Sequence, residues 1–251
     1  MTEYIEGKRP VIEALRAHVP MDRILIADNL KRDGLVQDIE RKAKAADVPV
    51  VKASRRKLDE MSDHGSHQGI IALASQYPYA GIGEILAHAA KDAQRRDGRA
   101  LIVALDHITD AGNLGAIVRS AEVVGASGLI IPNKRSAQVS AATYKSSAGA
   151  IAGIPVAQVA NLGKAFDRMK EEGFWVAGAS EHAEQSIWES NLKGKICLVM
   201  GNEGEGLARL TAEKCDFLTG LPQVGNIASL NVAQSATACM YEWLRQNTTA
   251  R

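Results

Sequence analysis

Apolar residues recur along this chain in two alternating spacings. Helical spacing appears in "RPVIEALRAH" (9–18), in "DGLVQDIERKAKAADVPV" (33–50), where an amphipathic helix leads into a strand ending at Val51, and in "IGEILAHAAKDAQRRDGR" (82–99). Short apolar runs bounded by turn residues appear between them. "DRILIAD" (22–28) and "HQGIIALA" (67–74) read as strands. "ALIVALDHI" (100–108) is apolar without interruption, as a parallel strand buried on both faces must be. The alternation then continues. Strands are expected at "GLIIP", "PVAQV", "FWVAGAS" and "ICLVMG", and helices at "NLGAIVRSAEVVGA", "LGKAFDRMKEEG" and "NVAQSATACMYEWLRQN", with "TYKSSAGAI" an irregular segment among them. Repeated β–α alternation predicts an α/β fold with a mostly parallel sheet covered by helices.

The pattern divides into a small α/β unit over 1–75, a linker and connecting helix over 76–98, and a larger α/β domain over 99–251. "SQYPYAGIGE", rich in Pro, Gly and Tyr, marks the join. The length of 251 residues suits one or two domains. With 46% hydrophobic and 24% charged residues, a core of ordinary size is expected. The formal net charge of +1 supplies no global field, so a nucleic-acid surface would have to be a local patch. No apolar run reaches membrane-spanning length, and "MTEYIEGKRP" lacks a signal-peptide pattern. Cys197, Cys215 and Cys239 are widely spaced and odd in number, which argues for buried thiols in a reducing cytoplasm rather than disulfides.

"LVMGNEGEGL" (198–207) reads as a strand running into a glycine-rich loop. Such loops commonly cradle phosphate with backbone N–H groups. This one carries Glu203 and Glu205 and no lysine. Neither a Walker A pattern nor a glycine fingerprint after "ALIVAL" is present, which disfavours a nucleotide-dependent oxidoreductase. Glu203 and Glu205 could equally sit at a helix N-terminus, where the dipole favours them. In "AGNLGAIVRSAEVVGA", Asn113 falls where a helix N-cap would, and Arg119 lies among small and apolar residues, either snorkelling to the surface or meeting a partner. In "LPQVGNIASLNVAQSA", Ser229 and Asn231 precede a helix rich in small residues, and ordinary capping accounts for at least one of them.

Together and in this order, the segments "NLGAIVRSA", "LVMGNEGEGL" and "LPQVGNIASLNVAQSA" resemble the SpoU/TrmH family of RNA ribose 2′-O-methyltransferases, in the SPOUT class. "IEGKRPVIEAL", "HQGIIA" and "RSAQVSAATYKSSAGA" are similar to the subgroup that modifies a guanosine in the peptidyl-transferase region of large-subunit rRNA. The resemblance implies a C-terminal SPOUT domain with a deep trefoil knot and a small N-terminal L30e-like domain that binds RNA substrate. It implies S-adenosyl-L-methionine as cofactor, in a pocket including Gly201, Leu221, Ser229, Leu230 and Asn231. It implies a catalytic set of Asn113, Arg119, Glu203, Ser229 and Asn231, and a homodimer with the site completed near the subunit interface.

A sulfonium-bearing ligand accounts for the acidic glycine loop, because a nearby carboxylate is compatible with a cation and repels phosphate. Arginine is a poor base, so Arg119 would contact the target phosphate and 2′-oxygen and stabilise developing charge, with true deprotonation left open. Lys8, Arg9, Arg55, Arg56, Lys134, Arg135 and Lys145 are candidate RNA contacts, together with Lys52 and Lys57, against the alternative of solvated surface charge. Aromatics make up only 4%, so phosphate, ribose and shape contacts are expected to outweigh base stacking. "HGSH" (His64, His67) lacks a third ligand at a convincing spacing, so no metal is expected. Methylation of tRNA, methylation of an rRNA adenosine, and a non-catalytic RNA-binding module are the competing readings. The intact residue set argues against the last.

Overall fold

A computed structural model describes residues 3–62, 65–226 and 229–248 of the chain. Two compact units are present: residues 1–78 with 139–149, and residues 79–138 with 150–251.

The first unit holds β1 (Glu3–Glu6), α1 (Lys8–Arg16), β2 (Met21–Ala27), α2 (Gly34–Ala45), β3 (Val50–Ala53), α3 (Arg55–Met61) and β4 (Ile70–Ala74). Its four strands lie in the order β1-β4-β2-β3, antiparallel except for the parallel β2–β3 pair. Ile24 to Ala27 are all buried, so β2 is covered on both faces. Leu58 of α3 packs with Leu25, Ala27, Ala53 and Ile71. By strand alternation Ile24 and Ile26 face the other way. Asp33 caps α2 through Val36 N at 3.0 Å, and Ser54 caps α3 through Lys57 N at 3.3 Å.

The segment 139–149 carries α6 (Ala141–Ser146) and groups with this unit rather than with the later domain that the sequence pattern gives it to. Lys145 Nζ bonds Glu13 of α1 at 2.6 Å, and Ala141 N donates to Glu3. Such contacts between distant residues have no periodic signature. β1 and α3 also lie outside the elements the pattern predicts, and β3 runs two residues past Val51. β1 has four residues and α3 seven, too few to display a period.

The second unit contains α4 (Ile82–Arg95), β5 (Ala100–Leu105), α5 (Ala111–Val123), β6 (Gly128–Pro132), β7 (Val156–Val159), α7 (Leu162–Glu171), β8 (Trp175–Ala179), β9 (Lys195–Met200), α8 (Arg209–Lys214), β10 (Phe217–Thr219) and α9 (Val232–Asn247). Six strands form one sheet in the order β10-β8-β9-β5-β6-β7, and every pairing is parallel. The continuous apolar run at β5 is thereby explained: all six of its residues are buried. On one face Ile85 and Ala89 of α4 and Phe166 and Met169 of α7 pack against Ile102, Ala104, Val176 and Val199. On the other side α5 and α9 pack together, and α9 contacts β9. Because the sheet is parallel, the carboxyl ends of β5, β8, β9 and β10 share one edge. Open α/β sheets bind ligands outside that edge.

Candidate functional site

A cavity opens at this edge. It is lined by residues 179–182 after β8, by 200–203 and 205–207 after β9, by Thr219, Leu221 and Gln223 after β10, and by Ser229, Leu230, Val232, Ser235 and Cys239 at the start of α9. Gly201, Leu221, Ser229 and Leu230 of the expected pocket all border it, as does Glu203. Glu181, Glu203 and Glu205 bring three carboxylates to its wall, and no lysine or arginine is among the described lining residues. Cys239 lines it as a thiol, because burial pushes its pKa up to about 12.

The glycine loop is a closed turn. Asn202 N donates to Gly206 O and Gly206 N returns to Asn202 O, both at 2.9 Å. A Cβ on Gly201 would lie 2.2 Å from the Gly206 carbonyl carbon, so glycine is required there by the loop's own backbone rather than by a ligand's approach. The left-handed φ of 66° at Gly206 closes the turn. The loop does not run directly into a helix, since α8 begins only at Arg209.

Glu203 projects from this turn onto the N-terminus of a different helix, α9. Its Oε1 accepts from Asn231 Nδ2 at 2.5 Å, from Asn113 Nδ2 at 3.1 Å and from Val232 N at 3.3 Å. Asn231 Nδ2 also donates to Asn113 Oδ1 at 2.9 Å. Asn231 is itself the N-cap of α9, with its Oδ1 accepting from Ala233 N at 2.9 Å. The capping reading and the site reading of Asn231 thus describe opposite ends of one side-chain amide. For Glu203, the helix-terminus reading applies to a helix distant in sequence.

Asn113 differs from expectation. The N-cap of α5 is Asp110, whose Oδ1 accepts from Asn113 N at 2.6 Å. Asn113 therefore sits in the first turn, with its side-chain amide free to reach Glu203 and Asn231. Asn231 and Asn113 lie beside the cavity rather than on its wall, and both border a shallow groove between α5 and α9. Arg119 is exposed on α5, has no hydrogen bond or ion pair among the described residues, and does not line the cavity. The chain thus joins Asn113, Glu203 and Asn231 directly, sets Ser229 on the cavity wall, and leaves the Arg119 guanidinium facing solvent.

The basic candidates separate into two sets. Lys8 pairs with Asp33 at 2.6 Å, Lys145 with Glu13 at 2.6 Å and Arg56 with Glu60 at 2.9 Å. Arg9, Arg55, Lys134 and Arg135 are exposed without ion pairs among the described residues. His64 lies outside the described residues. His67 is buried, with Nε2 2.8 Å from Asp59 Oδ1 and Nδ1 accepting from Gly69 N at 3.0 Å, so it orders the loop before β4. Among the described residues no group of three or more His, Cys, Asp or Glu is placed to hold a metal ion.

Two residues that hold the site's glycine loop escape sequence reasoning: Asn202, on the cavity wall, and Asp106, behind it. Asp106, buried at the end of β5, accepts from Ala208 N at 2.8 Å. Asn202 Nδ2 donates to His107 O at 2.8 Å. A polar residue ending an apolar strand was their only sequence signal.

The fold and site define a two-unit α/β protein with a ligand cavity at the carboxyl edge of a parallel sheet. Residues 100–241 match the SpoU rRNA Methylase family, and residues 4–80 match the RNA 2′-O ribose methyltransferase substrate binding family. The chain belongs to the SpoU family. It is 36% identical over 97% of its length to YacO of Bacillus subtilis (strain 168), assigned to the TrmH family of tRNA/rRNA methyltransferases, and covers 96% of that protein. It is 38% identical to the 23S rRNA (guanosine-2′-O-)-methyltransferase RlmB of Pseudomonas aeruginosa, over 94% of each chain. In fold it is similar to the SpoU methyltransferase AviRb from Streptomyces viridochromogenes, solved with the cofactor AdoMet, at a TM-score of 0.72 and 23% identity, covering 100% of this chain and 92% of that one.

Proposed function

We propose that this protein transfers a methyl group from S-adenosylmethionine to a ribose 2′-hydroxyl of RNA, with a guanosine in the peptidyl-transferase region of 23S rRNA as the favoured target. The observation that carries the reading is the character of the cavity: three carboxylates, no lysine or arginine among the described lining residues, and apolar walls from Leu207, Leu221 and Leu230. A phosphate-bearing ligand is electrostatically mismatched to it, whereas a cation carrying a nucleoside is matched. The similarity to RlmB over nearly the whole chain supports the rRNA guanosine.

S-adenosylmethionine supplies an electrophilic methyl on a positively charged sulfur, so transfer breaks a C–S bond, forms a C–O bond and releases the hydroxyl proton. The chain's residues hold and orient. Gly201, Leu221, Ser229 and Leu230, which border the cavity, would hold the donor, and positioning of donor against acceptor supplies much of the rate. Glu203 and Asn231 fix the start of α9 and hold Asn113 in register with the cavity mouth. Arg119, whose guanidinium has no partner among the described residues, binds the acceptor phosphate and stabilises charge developing on the 2′-oxygen. We infer that this happens in a homodimer. The exposed α5–α9 groove is bordered by the small residues Ala116, Ala233 and Ala238, which let a second copy approach and complete the site, and by the exposed aromatic Tyr241. Exposed cations bind the RNA, and a ribosomal substrate implies a cytoplasmic location.

Incubating the protein with methyl-labelled donor and total RNA, then mapping 2′-O-methylation, tests the reading. Label is expected at one 23S guanosine. Label in tRNA or at an adenosine would move the target, and no incorporation into any RNA would overturn the reading.

A further inference from the structure

Resting on that functional reading, we infer that Asp106, His107 and Asn202 form a clamp that holds the glycine loop in its donor-binding shape, with Asp106 and Asn202 as positioning residues. The loop is anchored to the end of β5 at both of its ends. At its start, Asn202 Nδ2 donates to the His107 carbonyl at 2.8 Å. At its close, Ala208 N donates to Asp106 Oδ2 at 2.8 Å. The backbone adds a third tie, from Asp106 N to Met200 O at 2.8 Å.

The clamp has a conformational signature. His107 adopts φ 59°, a left-handed conformation uncommon for a residue with a side chain. Its ring Nδ1 lies 2.5 Å from Asp106 Oδ1. Asp106 therefore uses one oxygen to fix the His107 turn and the other to hold Ala208. Asp106 is 1% exposed, so its carboxylate oxygens are shielded from water and leaving one without a partner is costly.

What the clamp positions is specific. Between its two anchors lie Glu203, Glu205 and Gly206 on the cavity wall. The Asn202 side chain is bifunctional: Oδ1 also accepts from Gly204 N at 2.9 Å, within the loop. Asn202→Asp keeps that acceptor, replaces the donor to His107 with a carboxylate oxygen set against a carbonyl oxygen, and adds one negative charge to the cavity wall that Asn202 borders, which a ligand carrying an ammonium group tolerates. The substitution separates the tie to β5 from the loop's own turn.

The test is calorimetric titration of S-adenosylhomocysteine into the full-length protein, with RNA affinity and melting temperature measured in parallel. For Asn202→Asp the expected result is roughly a tenfold or greater loss of affinity for that probe, with unchanged RNA affinity and a single cooperative melting transition only a few degrees lower. Asp106→Ala should lose at least as much. Should it fail to fold, Asp106→Asn serves in its place. That variant retains an acceptor for Ala208 N and should hold affinity between unsubstituted protein and Asn202→Asp. If the unsubstituted protein binds and Asn202→Asp binds equally well, the clamp is wrong while the functional reading stands. If the unsubstituted protein does not bind, the functional reading fails and the clamp falls with it.

Discussion

Glu203 Oε1 and Asn113 Nδ2 meet at 3.1 Å across 90 residues of sequence, joining the glycine loop after β9 to the first turn of α5. Asn231 closes the triangle from the start of α9. Three segments that carry no local relationship in the chain thus converge on one carboxylate oxygen.

Removing that carboxylate should be felt in turnover more than in folding. Glu203 is exposed, so a net contribution of about 0.5–1.5 kcal/mol applies, or roughly 2- to 12-fold in rate if the positioning is used in the transition state. Glu203→Ala is expected to lower kcat by that order. A double-mutant cycle with Asn113→Ala should give a coupling of at least about 0.5 kcal/mol in turnover. Additive effects would separate the two residues functionally.

The Arg119 side chain has no partner among the described residues, so Arg119→Ala should leave thermal stability within about 0.5 kcal/mol of the parent. Donor affinity should also hold, since Arg119 does not border the cavity. Methyl transfer should fall by about 100- to 1,000-fold, the scale of losing one oxyanion-stabilising group. Near-normal turnover would remove Arg119 from the mechanism.

The exposed cations should contribute unequally to RNA binding. Arg9, Arg55, Lys134 and Arg135 have no ion pair among the described residues, so each alanine variant that removes a phosphate contact should reduce the slope of log affinity against log salt by about one. Lys8 already neutralises Asp33, and Lys145 neutralises Glu13. Their removal should change the slope less. Filter binding across a salt series distinguishes the two groups, and a flat response throughout would count against RNA as substrate.

Acid should weaken the first unit through Asp33. Its hydrogen bond from Lys8, reinforced by Val36 N, holds the carboxyl below its ordinary value of 3.8. The folded state thus binds its proton less readily than the unfolded chain. The stabilisation is fully present above the unfolded pKa of about 4 and is lost as pH falls through the lower folded value. Asp33→Asn keeps the N-cap of α2 and loses the ion pair, so its melting temperature should drop at pH 7 and fall less steeply below pH 4.

Cys215 and Cys239 should resist alkylation in the folded protein. Burial pushes both thiols to about 12, so almost no thiolate exists at pH 8. Iodoacetamide should modify them at a measurable rate only after denaturation.

Periodicity in the sequence determined most of this fold. The unbroken apolar run at β5 required burial on both faces, and alternating β and α patterns then required a parallel sheet, because parallel strands need helical crossovers. The order of three motif segments was enough to point to the family. Local pattern could not supply α8 and β10, of six and three residues, or attach 139–149 to the first unit, because those depend on contacts far apart in sequence. Tertiary structure alone decided that Asp110 rather than Asn113 caps α5, that Gly201 is needed by its own loop, and that Asp106 anchors that loop. A side chain's partner depends on which strand ends share an edge, and hydrogen bonds act over about 3 Å in space whatever the distance along the chain.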